Sequence, residues 1–357
     1  MDFAVSLPVS VIFVVSLLLC LALLRVAEVV GKSLDLVDRP NERKTHSGDI
    51  PLVGGICIFL TILFLQIIAP MNPVVLVAGA LLIAIGIADD YLDLSPRLRL
   101  AVQAMAGAIL FWGGYQITHL GGLFIGDALL LSGMSAVLFS LLGMIGVVNA
   151  INMIDGADGL AGGVVAISAA ALLSITMLAG AGIETTGGLI VILGAVLAFL
   201  TFNSGVFGSN HKVFLGDSGS MFLGIVLAAY YIGLSQGSDA YLSPVAAGWV
   251  FGLPLMDSVS VMVARMRNGK SPLKAGRDHL HHRLADKGFT SGRAVALMLT
   301  LHAVLVLIGF IGNHYALSES VMFWGFVSLV VAYHFASPLL LFHGTSGSLG
   351  GKRSVRQ

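Results

Sequence analysis

Five polar stretches interrupt an otherwise apolar chain, and together they carry most of the side chains able to do chemistry. NAINMIDGADGL (Asn149 to Leu160) sets Asp155 and Asp158 beside Gly156 and Gly159, between two apolar runs. DDYLD (Asp89 to Asp93) leaves another apolar run, and NHKVFLGDSGS (Asn210 to Ser220) enters one at Asp217. GRDHLHH (Gly276 to His282) supplies three histidines, and DRPNERKTHSGDIPLVGG (Asp38 to Gly55) supplies Lys44 and His46. Charges at the mouths of hydrophobic segments are costly and ask for a reason. Asp90 and Asp93, like Asp155 and Asp158, are spaced so that a continuing helix would put each pair on one face. Crowded carboxylates raise one another's pKa unless a cation intervenes. Oxygen ligands without thiolates favour Mg²⁺, with Mn²⁺ also suited, and Mg²⁺ commonly shares its shell between one or two carboxylates and substrate phosphates. The competing reading is a set of solvated helix ends neutralised by Arg97, Arg99 and Lys44.

The histidines divide by setting. His279, His281 and His282 suit phosphate oxygens and sugar hydroxyls, since imidazole donates in neutral or cationic form. A zinc site lacks supporting ligand spacing. On a helix His279 and His282 would share a face and His281 would not. His302 and His334 sit singly in apolar helices and are expected to be structural, while His46 is open. Asp257 lies about two turns inside an apolar run, after Pro254, where a helix should kink. It is either functional by virtue of its depth or a structural acceptor.

These residues need a membrane scaffold. Of the 357 residues, 57% are hydrophobic and only 11% charged, against about 25% charged in a soluble domain; mean hydropathy is +0.95. The fold class expected is all-α, a polytopic integral membrane protein. About eleven runs approach the roughly 20 residues a crossing needs, at approximately 7–30, 51–69, 73–88, 100–117, 130–148, 160–180, 186–202, 217–235, 243–264, 293–312 and 319–341. Under that topology all 19 Lys and Arg fall on one side. The positive-inside rule makes that side cytoplasmic, with the N-terminus outside and the C-terminus inside. All five polar stretches then share the cytoplasmic face. Residues 1–341 are expected to form one transmembrane catalytic domain, and 342–357 a short, disordered cytoplasmic tail. The first run lacks a basic n-region and a small residue before Cys20, so it is expected to be an uncleaved helix. Zero net charge gives no reason to expect nucleic acid as a partner. Membrane lipids are expected partners, and a homodimer is left open.

The motifs NAINMIDGADGLAGG, GIADDYLD, KVFLGDSGS and GRDHLHHRL resemble the signatures of the polyprenyl-phosphate N-acetylhexosamine-1-phosphate transferases. The DRPNERKTHSGDIPLVGG stretch and the HxHH form are most similar to the WecA-like branch. That resemblance implies transfer of GlcNAc-1-phosphate from UDP-GlcNAc to undecaprenyl phosphate, with Mg²⁺, at the cytoplasmic face of a bacterial inner membrane. Residue by residue it implies Asp217 as the principal metal ligand with Asp90. Asp89 and Asp90 would lie near the lipid phosphate, and Asn152, Asp155 and Asp158 would line the nucleotide-diphosphate site. Phe214 would stack uracil, Asn203 would contribute to substrate binding, and Lys44 with His279, His281 and His282 would meet the diphosphate or sugar. Rival readings are the same reaction on another UDP-N-acetylhexosamine or UDP-MurNAc-pentapeptide, a transporter for a phosphorylated solute, and an integral-membrane phosphatase.

Overall fold

The computed structural model describes residues 7–40, 48–124, 127–238, 240–271, 276 and 278–339. Its helices run α1 (Val9–Ser33), α2 (Gly54–Phe64), α3 (Pro73–Leu92), α4 (Pro96–Trp112), α5 (Met134–Ile154), α6 (Leu160–Leu178) and α7 (Ile183–Asn203). They continue with α8 (Gly216–Ser235), α9 (Pro244–Val250), α10 (Gly252–Arg267), α11 (Leu280–Asp286), α12 (Ser291–His314) and α13 (Glu319–Leu339). The one ladder among the described residues pairs β1 (Val37–Asp38) antiparallel with β2 (Ile50–Pro51).

Each of the eleven apolar runs carries a helix, but they differ in reach. Among the described residues eight helices are long and apolar enough to cross a membrane, and α9 with α10 makes a ninth candidate span if that bent pair is one crossing. The other two fall short of the roughly 30 Å hydrocarbon layer. At 1.5 Å per residue, α2 rises about 17 Å and α4 about 25 Å. Gln66 ends the shorter one: its amide donates to Ile62 O at 2.9 Å and accepts from Met71 N at 2.9 Å. By length and composition, eight or nine of the eleven expected crossings are candidate spans among the described residues, while α2 and α4 run between the same two ends as shorter helices.

Helix starts follow local chemistry. Asn72, Ser95 and Ser243 each cap a helix whose first residue is proline, their side chains accepting from Val74 N, Leu98 N and Ala246 N. Proline at that position forfeits no intrahelical bond. The break between α9 and α10 bends the chain by 83° at Phe251. Pro254 falls in the first turn of α10 rather than in mid-helix, so the expected kink becomes a full break just ahead of it.

Helix α8 is the axis of the bundle. It packs against α2, α3 and α5, and 89% of its apolar window is buried, against 22% for α1 and 11% for α13 at the rim. Close approach rests on missing side chains. A Cβ on Gly55 would lie 2.0 Å from the Gly219 Cα, and one on Gly86 would lie 2.2 Å from the Ser218 Cα. At one end of the bundle Tyr91 Oη donates to Leu34 O, Lys32 Nζ to Asn210 O and Gly55 N to Leu215 O. At the other end Gln236 holds Thr118 and His119, and Asn313 holds Ser243. The polar stretches gather at the first of these ends.

Candidate active site

The N-terminus of α8 lies at the centre. Gly216 takes φ +76°, a left-handed turn that L side chains rarely adopt. That turn aims the first amides of the helix at Asp90, whose Oδ1 accepts from Asp217 N at 2.9 Å and Oδ2 from Ser218 N at 3.4 Å. A carboxylate there satisfies two open donors and complements the positive end of the helix. The close α3–α8 contact at Gly86, one turn before Asp90, makes this reach feasible.

Asp89, the adjacent residue, points elsewhere. It is buried, accepts from Leu94 N at 2.8 Å and pairs with Arg99 Nη1 at 2.7 Å. The same Nη1 lies 4.0 Å from Asp217 Oδ2. Asp217 Oδ1 receives the Asn152 amide at 2.5 Å, and that amide also reaches Ser220 Oγ at 2.9 Å. Behind it, Asn149 donates to the buried Gln103 at 2.7 Å, so polar contacts continue into the α4–α5 seam. Asp93 does not share a face with Asp90: α3 ends at Leu92 and Asp93 turns left-handed at φ +49°.

Asp155 and Asp158 also lie outside regular helix, in the connection between α5 and α6, so the same-face helical spacing does not apply to them. Burial pushes the Asp155 carboxyl up to about 8, helped by the charges of Asp217, then Asp90 and Asp158. Asp158 takes a short ion pair from Lys212, whose Nζ also sits 5.5 Å from the centre of the Phe214 ring. The Phe214 backbone bridges β2 and α2, donating to Pro51 O at 2.9 Å and accepting from Gly54 N at 3.0 Å. Asn203 is buried, with both ends of its amide engaged: Oδ1 accepts from Gly159 N at 2.6 Å and Nδ2 donates to Val213 O at 3.0 Å. It ties the Asp155–Asp158 loop to the approach to α8.

The histidines complete the ring of residues. His279 precedes α11, and His281 and His282 lie in its first turn. The rings of His279 and His281 are near-parallel, 8° apart, with centroids 6.2 Å apart; His281 and His282 are 4.0 Å apart. His281 thus neighbours both, and because His279 stands before α11 the helical spacing of His279 and His282 does not apply. Its Nε2 is 2.5 Å from where a Cβ of Gly156 would stand, so a glycine there admits the imidazole to the Asp155 loop. Asp257 is 1% exposed and lies beneath the histidine motif, accepting from His279 Nδ1 at 2.7 Å. His302 and His334 are held by Ser168 and Ser260, in keeping with structural roles.

The five stretches therefore converge. Lys44 and His46 lie outside the described residues, between β1 and its partner β2, whose Pro51 abuts Phe214. Arg99, which the competing reading cast as a neutralising cation, and Lys212, offered only as a basic residue on the same side, both touch the acidic group directly. Their signal was spacing: Arg99 follows Asp89 across a Ser-Pro helix start, and Lys212 precedes the Asp217 motif.

The family described as Glycosyl transferase family 4 matches residues 72–235, a segment that includes all five of these aspartates. The undecaprenyl-phosphate alpha-N-acetylglucosaminyl 1-phosphate transferase of Escherichia coli is 34% identical over 295 residues, covering 81% of this chain and 79% of that protein. The protein of the same name from Haemophilus influenzae is 36% identical over 306 residues, covering 84% and 86%. That from Yersinia pestis is 33% identical over 301 residues, covering 83% and 82%. With similarity of this extent running through the converged carboxylates, the chain belongs to glycosyl transferase family 4.

Proposed function

We propose that this protein transfers GlcNAc-1-phosphate from UDP-GlcNAc to undecaprenyl phosphate and releases UMP, at the cytoplasmic face of a bacterial inner membrane. The observation that carries this reading is the junction of Asp90, Asp217 and Asn152 at the N-terminus of α8, at one end of a membrane bundle. A water-soluble nucleotide sugar and a membrane-bound phosphate can meet only at such an end.

The donor set suits a divalent cation. Arg99 pairs with Asp89 and lies 4.0 Å from Asp217, Lys212 pairs with Asp158, and Asp155 is raised by burial first and then by the charges of Asp217, Asp90 and Asp158. Among the described residues no three His, Cys, Asp or Glu groups form a closed metal cage. Mg²⁺ typically keeps only one or two carboxylates and completes its shell with substrate phosphates. Asp217 would be its principal ligand, with Asp90 beside it. When bound, Mg²⁺ would offset negative charge on the diphosphate and on departing UMP.

A lipid-phosphate oxygen attacks the β-phosphorus, forming one P–O bond. The bond from that phosphorus to the bridging oxygen breaks, and its electron pair leaves on UMP. The second pKa of a phosphate monoester is near 6, so the nucleophile is already mostly ionised at pH 7. Base catalysis is thus not the main demand on Asp89 or Asp90. Asp89 holds Arg99, which presents a guanidinium to incoming phosphate. Asp90 fixes the turn that carries Asp217. Catalysis then rests on positioning and charge stabilisation. Asp155, Asp158 and Asn152 line the nucleotide side, Phe214 offers a ring to uracil, and Asn203 braces that wall. Lys44 and the histidines meet the diphosphate or sugar.

A panel of UDP-sugars with purified protein, undecaprenyl phosphate and Mg²⁺ tests the reading. UMP release is expected with UDP-GlcNAc and to be far weaker with UDP-MurNAc-pentapeptide. Release from no UDP-sugar would overturn the transferase reading.

A further inference from the structure

Asp257 stands apart from the acidic group, on the broken-helix side of the site. It is 1% exposed, and three donors converge on it. His279 Nδ1 lies 2.7 Å from Oδ2, while Leu280 N at 3.2 Å and Tyr333 Oη at 2.7 Å both address Oδ1. A carboxylate this deep is expensive without such partners. Three elements meet on it: α10 carries it, α13 supplies Tyr333, and the start of α11 supplies His279 and the Leu280 amide.

From this geometry we propose that Asp257 is a positioning residue for the transfer reaction: it keeps the hydrogen of His279 on Nδ1 and aims Nε2 at the substrate. The proposal rests on the transferase reading. An ionised carboxylate only accepts hydrogen bonds, so its partner Nδ1 carries a hydrogen whether the ring is neutral or cationic. Nε2 is then an acceptor in the first state and a donor in the second. The second state is the one able to grip a phosphate oxygen. Orientation follows as well, because the bonds to Leu280 N and Tyr333 fix the carboxylate plane. The near-parallel His279 and His281 rings extend that order to His281, which abuts Gly156 in the Asp155–Asp158 loop. The buried carboxylate under α11 thus sets the far wall of the sugar-diphosphate site.

Asp257→Asn is the decisive variant. Its amide can keep an oxygen toward Leu280 N and Tyr333 while offering N–H to His279, which moves the ring hydrogen to Nε2. ¹⁵N spectra of histidine-labelled full-length protein in detergent report that tautomer without any substrate. The wild type should show Nδ1–H at His279 and the variant Nε2–H; an unchanged ring would overturn the tautomer role. Outer partners of a functional histidine commonly contribute about 10–100-fold. The kcat is therefore expected to fall by about that factor, with the KM for UDP-GlcNAc changing much less. In a His279→Gln background, Asp257→Asn should cost little further, because both changes remove one unit. Losses that multiply in the double variant, or a KM effect alone, would contradict positioning through His279. Tyr333→Phe provides a fold-preserving comparison and should give a smaller kcat loss with Nδ1–H retained. If the wild type shows the Nδ1–H tautomer but transfers no sugar phosphate, the transferase reading fails while the Asp257–His279 geometry stands.

Discussion

At the scale of single residues, the five carboxylates do five different things, and their electrostatics make two predictions. Asp217 alone combines a place in the first turn of α8, a side-chain donor in Asn152 and an exposed edge near Arg99. Losing one preorganised electrostatic group at a reacting centre typically costs about 10²–10³ in kcat. Asp217→Asn is expected to lose at least that much, and excess Mg²⁺ should not restore the rate; recovery at high Mg²⁺ would mean the residue only tunes affinity. Asp155 gives a pH prediction. Its carboxyl is pushed up to about 8 in the fold, by burial first and by Asp217, Asp90 and Asp158 next, against about 3.9 when unfolded. The fold therefore favours the protonated form. With divalent cations chelated, the contribution to stability is complete below about pH 4 and disappears as pH rises through about 8. Millimolar Mg²⁺ should recover stability at pH 8.5 and change little at pH 5, and Asp155→Asn should flatten the chelated profile. Thermal unfolding in detergent measures both, and a chelated wild type whose profile matches that of Asp155→Asn would exclude the effect.

At the scale of elements, placement depends on atoms that are missing and on braces between loops. Adding a Cβ at Gly86 would bring it against the Ser218 backbone, where no rotamer change can relieve the contact. Gly86→Ala should destabilise by roughly 1–3 kcal/mol, as overpacking does. It should also separate Asp90 from Asp217 N and abolish transfer; a folded variant with full activity would refute the α3–α8 clamp. Asn203→Ala would strand Gly159 N and Val213 O, at about 1–3 kcal/mol if neither finds water. Its KM for UDP-GlcNAc should rise as the Asp155–Asp158 wall loosens. This scale is also where sequence and structure part company. Asp89, Asp90, Asp155, Asp158 and Asp217 were legible because a carboxylate at the mouth of an apolar run has no cheap explanation. The Gly86–Ser218 contact was not legible, since glycine in a membrane helix carries no sign of what faces it. The helical spacing of Asp90 with Asp93 failed because a left-handed residue ends α3 after Leu92. The partner of Asp257 lies 22 residues further along, past the end of α10 in a connection whose path no periodicity specifies.

At the scale of the whole molecule, apolar runs and charge asymmetry were enough to indicate an all-helical membrane protein with one polar end. The eleven runs differ in helical reach: α2 ends at Phe64 after about 17 Å and α4 reaches about 25 Å. We infer the orientation from the basic side, and cysteine labelling measures it directly. Ser132→Cys should react with a membrane-impermeant maleimide in intact cells, and Asn210→Cys only after lysis; the reverse pattern would invert the topology. The larger claim is that the polar end moves a phosphoryl-linked sugar between two substrates rather than hydrolysing or transporting one. UDP-GlcNAc labelled with ³²P at the β-phosphorus tests this most directly, given to purified protein with Mg²⁺ and undecaprenyl phosphate. Label is expected in the lipid fraction, with unlabelled UMP released in equal amount and neither product formed when the lipid is withheld. Label leaving as UDP, or appearing as water-soluble sugar phosphate without lipid, would contradict the account.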